Sequence, residues 1–115
     1  MASTFRGLTF DAYDAHAVAL FWAAALGRDV APGASPERAE VTADTGAPRL
    51  AFERVQPGGV VRNTLHLDLV TTDLERESER LVRLGARRVG TVGGTARWVS
   101  LTDPEGNAFD LVPAA

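Results

Sequence analysis

The chain has 115 residues and no cysteine, which excludes disulfides, thiolate chemistry and cysteine metal sites. Hydrophobic residues make up 45%, enough for one packed domain or for two half-sized modules that need each other. A formal net charge of -3 gives no broad basic face, and no stretch approaches the roughly 20 apolar residues of a spanning helix, so neither nucleic acid nor membrane is an expected partner.

Phe5 to Asp11 reads as a strand by alternation, with Leu8, Phe10 and Ala12 on one side and Thr9, Asp11 and Tyr13 on the other. Asp14 can cap the helix that follows, where Val18, Phe21, Trp22, Ala25 and Leu26 fall at helical spacing and Gly27 suits the stop. Val30 to Pro36 is loop-like, Arg38 to Thr42 is a short strand candidate, Asp44-Thr45-Gly46 is a turn, and Arg49 to Val55 is a clearer strand. Gln56-Pro57-Gly58-Gly59 breaks the pattern and is the natural junction.

A second series begins at Val61 to Val70, a half-buried strand whose polar side carries His66 and Asp68. Thr72-Asp73-Leu74-Glu75 matches a capping box with Thr72 as cap, although Asp73 is itself a candidate cap. Leu74, Leu81 and Leu84 form the buried stripe of the helix, with Ser78 in its middle, and Gly85 repeats the role of Gly27. Arg87 to Thr91 is a strand candidate, Gly93-Gly94 a hairpin turn, and Thr95 to Leu101 a strand bearing Trp98 and Ser100 on one face. Asp103-Pro104-Glu105-Gly106-Asn107 is a dense turn signal before a last strand, Ala108 to Val112.

The two series correspond. Leu8-Thr9-Phe10-Asp11 precedes Leu65-His66-Leu67-Asp68 by 57 residues, and Ala51-Phe52-Glu53 precedes Ala108-Phe109-Asp110 by the same 57. Leu26-Gly27 precedes Leu84-Gly85 by 58. Ordered matches in equivalent elements point to duplication, with modules over residues 5–56 and 61–113 of a single domain, 1–115.

If each helix packs behind its half of the sheet, strand parity sends Leu8, Phe10, Leu50, Phe52, Leu65, Leu67, Phe109 and Leu111 towards the helices. The other face then receives Thr9, Asp11, Tyr13, Glu53, His66, Asp68, Trp98, Ser100 and Asp110. Polar groups with a Trp and a Tyr on the inner face of a curved sheet describe a ligand cup. Asp11, Tyr13, Asp68, Trp98 and Ser100 are the candidate ligand-binding residues. His66, Glu53 and Asp110 have the composition of a divalent metal site for Zn, Fe, Mn or Ni. The plainer alternative is a half-buried His66 hydrogen-bonded to Asp68 or Asp110. Asp103 and Asn107 read as turn formers, and His16 as a surface residue.

The segments Phe21-Trp22-Ala23-Ala24-Ala25-Leu26-Gly27, Asn63–Leu69, Leu84-Gly85-Ala86 and Asp103–Leu111 together resemble the vicinal oxygen chelate superfamily of glyoxalase, bleomycin-resistance and extradiol-dioxygenase proteins, in its short glyoxalase-like branch. The resemblance implies an α+β fold of two tandem βαβββ modules, whose strands form a curved mixed sheet around a central cup. It implies one divalent metal chelated by two neighbouring substrate oxygens. On the family pattern the second-module histidine is His66 and the second-module acid is Asp110, where glutamate is commoner. The first-module acid is Glu53. The first-module histidine position falls near Gly7 or Thr9, neither of which is a normal ligand.

Two functions follow as expectations. One is a protein that binds a small molecule in the cup without a secure metal, with Trp98, Tyr13 and, less directly, Trp22 as aromatic contacts. The other is a metal-dependent lyase, isomerase or dioxygenase acting on a small oxygenated substrate, with Asp68 or Asp11 as base or orienter. A third, weaker reading is a vestigial domain that self-associates. The resemblance also implies a homodimer, and Met1–Arg6 lacks the apolar run of a signal peptide, so the expected location is the cytoplasm.

Overall fold

The computed structural model describes residues 2–61, 63–93 and 97–114. The chain divides into two units, Met1–Thr64 and Leu65–Ala115. Each carries a helix and a mixed sheet, the arrangement that duplication required.

In the first unit, β1 (Gly7–Ala12) leads into α1 (Ala15–Leu26), followed by β2 (Arg38–Val41) and β3 (Arg49–Arg54). The helix starts where expected: the Asp14 carboxylate accepts from Ala17 N at 3.1 Å, pairing a backbone donor that the first turn leaves free. It stops at Gly27, whose φ of 66° is left-handed and suits a residue without Cβ. Strand order is β1-β3-β2, with β1 parallel and β2 antiparallel to β3. The fourth strand of a complete module is reduced to a bridge between Val30 and Val41, flanked by Ala31 N donating to Glu40 O and Thr42 N donating to Asp29 O. Pro32, Gly33 and Pro36 explain the reduction, since proline offers no ladder donor.

This unit has the denser core. Seven residues of α1 are buried, including Val18, Phe21 and Trp22, and the helix packs on β2 and β3, where Val41, Leu50 and Phe52 are buried. Phe21 and Trp22 pack edge to face with centroids 5.2 Å apart, and Phe10 lies 5.8 Å from Phe52. Trp22 is therefore a core residue and offers a ligand nothing. Arg28 ties the end of the helix to the β2–β3 connection, donating to Thr42 O at 3.0 Å and Pro48 O at 2.6 Å.

The second unit holds β4 (Asp68–Thr71), α2 (Leu74–Leu84), β5 (Arg87–Val92), β6 (Trp98–Thr102) and β7 (Ala108–Pro113), in sheet order β4-β7-β6-β5. β4 is shorter than the alternation over 61–70 suggested. Asn63 belongs to the first unit instead, where its carbonyl accepts from Asp11 N at 2.8 Å and its N–H donates to Asp11 Oδ2 at 3.1 Å. Arg62, Gly94 and the expected strand start at Thr95-Ala96 lie outside the described residues.

Asp73, not Thr72, caps α2: its carboxylate accepts from Arg76 N at 3.1 Å, and Thr71 Oγ1 in turn accepts from Asp73 N at 3.2 Å. Glu75 is thereby freed from a capping-box role. Its two oxygens take Arg88 at 3.1 and 3.2 Å and Arg97 at 2.8 Å, which ties the helix start to β5 and to the approach of β6. The hydrogen bond from Arg88, then its charge, hold the Glu75 carboxyl below the usual carboxylate range. Ser78 is buried and satisfied, donating to Leu74 O at 2.7 Å. The sheet contributes Val99, Leu101, Phe109 and Leu111 to the core, all on one face.

The ladders record the duplication residue by residue. Asp11 pairs with Glu53 across β1 and β3, and Asp68 pairs with Asp110 across β4 and β7. A shift of 57 residues carries the first pair onto the second. No helix among the described residues is long and apolar enough to cross a membrane.

Candidate metal centre

The polar face of the second unit is built by parity. In β6, Trp98 and Ser100 alternate with the buried Val99 and Leu101; in β7, Asp110 alternates with Phe109 and Leu111. The β6–β7 hairpin fixes their register. Asp103 is 3% exposed, and its carboxylate accepts from Glu105 N and Asn107 N, each at 2.9 Å, and from Asn107 Nδ2. Asp103 and Asn107 are thus turn formers, as expected, and the turn they lock places Ser100 opposite Asp110.

Parallel pairing then sets Asp68 beside Asp110. His66 lies two residues before β4, and the bond from Asp110 N to Leu67 O at 3.0 Å carries the pairing back to that point. His66 Nε2 stands 3.3 Å from Asp110 Oδ2, and Ser100 Oγ–H donates to Asp110 Oδ1 at 2.9 Å. One ligand atom from each of His66, Asp68 and Asp110 lies within 4.8 Å of the other two. His66 and Asp68 are exposed and Asp110 is partly covered, so the group faces outward and is open to a ligand. An imidazole nitrogen and two carboxylate oxygens converging at this spacing suit a divalent cation, and three protein ligands leave positions for water or substrate.

The other sequence candidates lie as follows. Ser100 contacts Asp110, and Trp98 is half-buried on the same side of β6, paired with Val92 of β5. Asp11, Tyr13 and Glu53 belong to the first unit. The Asp11 carboxylate is engaged by Asn63, Tyr13 is exposed, and Glu53 has Arg38 at 3.8 Å. Of the three residues expected to hold a metal, the second unit brings together His66 and Asp110 and adds Asp68. The signal for Asp68 was present in the duplicated Asp11/Asp68 and Glu53/Asp110 spacing, since equal offsets place each aspartate beside its partner acid once the strands run parallel.

In the first unit the 57-residue shift puts Thr9 at the position equivalent to His66, and Gly7, two residues earlier, is crowded. Arg49 lies over Gly7, where an added Cβ would stand 2.5 Å from Arg49 Cγ and 2.9 Å from Arg49 O. Arg49 Nη1 donates to Glu40 Oε1 at 3.1 Å, and Arg38 reaches Glu40 at 3.5 Å as well as Glu53. Arg38, Glu40, Arg49 and Glu53 thus form a chain of ion pairs in this unit.

Among curated proteins no sequence matches the chain. Solved structures show the same fold at low identity. A glyoxalase-related enzyme from Fulvimarina pelagi is 18% identical with a TM-score of 0.70, over 98% of this chain and 89% of its own. A glyoxalase/bleomycin resistance protein/dioxygenase family enzyme from Burkholderia phytofirmans is 17% identical with a TM-score of 0.70, over 93% and 95%. A bleomycin-binding protein from Streptomyces verticillus, solved with copper(II)-bleomycin, is 18% identical with a TM-score of 0.60, over 100% of both chains. The sequence profile of the glyoxalase-like domain matches residues 7–112, and with that span the chain belongs to the glyoxalase-like family of the vicinal oxygen chelate superfamily.

Proposed function

We propose that the chain is a divalent-metal-binding glyoxalase-like protein whose second unit holds the ion through His66, Asp68 and Asp110 and offers it to a small oxygenated molecule. The observation that carries this reading is the convergence of the three ligand atoms within 4.8 Å. A metal bound there would polarise oxygens placed next to each other on a substrate and stabilise negative charge developing on them. The chain's own part is to fix the ligands. The Asp103 turn sets the hairpin, Ser100 holds Asp110, and the pairing of Asp110 N with Leu67 O brings His66 alongside. The reaction class that fits is lyase, isomerase or dioxygenase chemistry on a substrate with two vicinal oxygens.

The test is metal content of the purified untagged protein, followed by re-addition of Mn, Fe, Ni and Zn to a chelated sample. Stoichiometric binding that is lost in His66→Ala supports the reading. Binding by none of the four metals, or binding indifferent to His66, overturns it.

One observation favours a second reading, metal-independent binding of a small molecule. Trp98 is half-exposed beside Ser100 on the polar side of β6, so an apolar-aromatic ligand has a ring to stack on. The relative crystallised with copper(II)-bleomycin lends this reading a parallel. Because Trp22 is fully buried, fluorescence quenching by a ligand in the chelated sample reports on Trp98. Quenching lost in Trp98→Phe would favour this alternative.

A further inference from the structure

Asp110 has two oxygens with different partners. Oδ1 accepts the Ser100 hydroxyl at 2.9 Å, and Oδ2 faces His66 Nε2 at 3.3 Å. We propose that Ser100 is the positioning residue of the metal centre, holding Oδ1 so that Oδ2 alone is presented to the cation. This assignment rests on the metal reading above. It takes Ser100 out of direct contact with a ligand and makes it act through Asp110.

The first unit supplies an internal comparison. Ser100 pairs with Asp110 across β6 and β7, and Arg38 pairs with Glu53 across β2 and β3. A shift of 57 residues carries Glu53 onto Asp110, so Arg38 and Ser100 are the antiparallel neighbours of equivalent acids. Where the neighbour is arginine, the acid has a cation at 3.8 Å, and the position equivalent to His66 is Thr9. Where the neighbour is serine, the acid has a neutral donor and a histidine beside it. A hydroxyl aligns a carboxylate without neutralising it and leaves its charge for a metal.

The test uses Mn²⁺ titration of the full chain, read by the electron paramagnetic resonance signal of free Mn²⁺, with thermal melting to confirm folding. Ser100→Ala is expected to weaken Mn²⁺ affinity about 10- to 100-fold, the range typical of losing a group that orients a metal ligand. Ser100→Thr keeps the hydroxyl and is expected to retain affinity within about threefold of the original, on the same scale. Ser100→Arg reproduces the arrangement at Glu53 and is expected to abolish binding while the melt stays cooperative. If Mn²⁺ binds the unmodified chain in a His66-dependent way and Ser100→Ala binds equally well, the Ser100 assignment falls and the metal site stands. If the unmodified chain shows no His66-dependent binding, the metal reading falls and takes the assignment with it. A purely structural role for Ser100 would lower the melting temperature without changing the affinity of the folded protein, which also overturns the assignment.

Discussion

Gly7 and Arg49 face each other across the β1–β3 ladder, and the arginine side chain occupies the space that a residue at position 7 would need. Both close approaches are to Arg49 itself, one of them to backbone, so relief requires the strand to shift. Gly7→Ala is therefore expected to destabilise the fold by about 1–3 kcal/mol, the usual cost of overpacking. Thermal melts would check this. A double-mutant cycle with Arg49→Ala should recover part of the loss, because the Cγ contact disappears while the carbonyl contact remains. Equal melting temperatures for Gly7→Ala and the unmodified chain would contradict the packing argument. No ligand is legible here because Gly7 and Thr9 are not metal-binding residue types, and glycine alone does not reveal which side chain fills the space beside it. At Asp110 the residue type suggested a ligand, but its division between Ser100 and His66 depends on strand register, which one sequence does not print.

The two helices differ in how they are held. α1 buries Ala15, Val18, Ala19, Phe21, Trp22, Ala23 and Ala25, whereas α2 buries only Ser78 and Leu81 and leaves Val82 and Leu84 exposed. Apolar burial supplies most of a helix's stability in a protein, so α2 should open first. Native-state hydrogen exchange is expected to show central α2 amides exchanging at least about tenfold faster than those of α1. Equal protection would contradict this. What α2 lacks in burial is partly offset by the Glu75 clamp to Arg88 and Arg97. The Glu75 carboxyl is lowered in the folded state, so its contribution is present above the unfolded value of 4.5 and is lost as pH falls through the folded value. Glu75→Gln should therefore melt below the unmodified chain at pH 7, with the gap closing as the solution is acidified and shrinking in high salt. A gap that widens on acidification would show the sign to be wrong. The elements themselves were legible where period and punctuation agreed, as in Asp14–Gly27 and Arg49–Val55. The sequence leaves the cap of α2 between Thr72 and Asp73, both good caps, and the structure decides for Asp73, whose N–H is received by Thr71 Oγ1. The 61–70 alternation was cut short by Asn63 pairing with Asp11, a contact 52 residues apart that local pattern does not encode.

At the scale of the whole chain, duplication was the most legible feature and divergence between the copies the least. The offset of 57 residues in the sequence reappears as the shared register of Asp11 with Glu53 and of Asp68 with Asp110. On this common frame the copies carry different chemistry. The first has Thr9, Asp11, Glu53 and Arg38; the second has His66, Asp68, Asp110 and Ser100. Family resemblance pointed to Glu53 as the third ligand, whereas the geometry of the second unit offers Asp68. If the second unit holds the metal by itself, the direct measurement is the stoichiometry and affinity of Mn²⁺ for Asp68→Ala and Glu53→Ala beside the unmodified chain. The expected result is one ion per chain, affinity lost in Asp68→Ala, and affinity retained in Glu53→Ala. Loss of binding in Glu53→Ala with Asp68→Ala unaffected would contradict it.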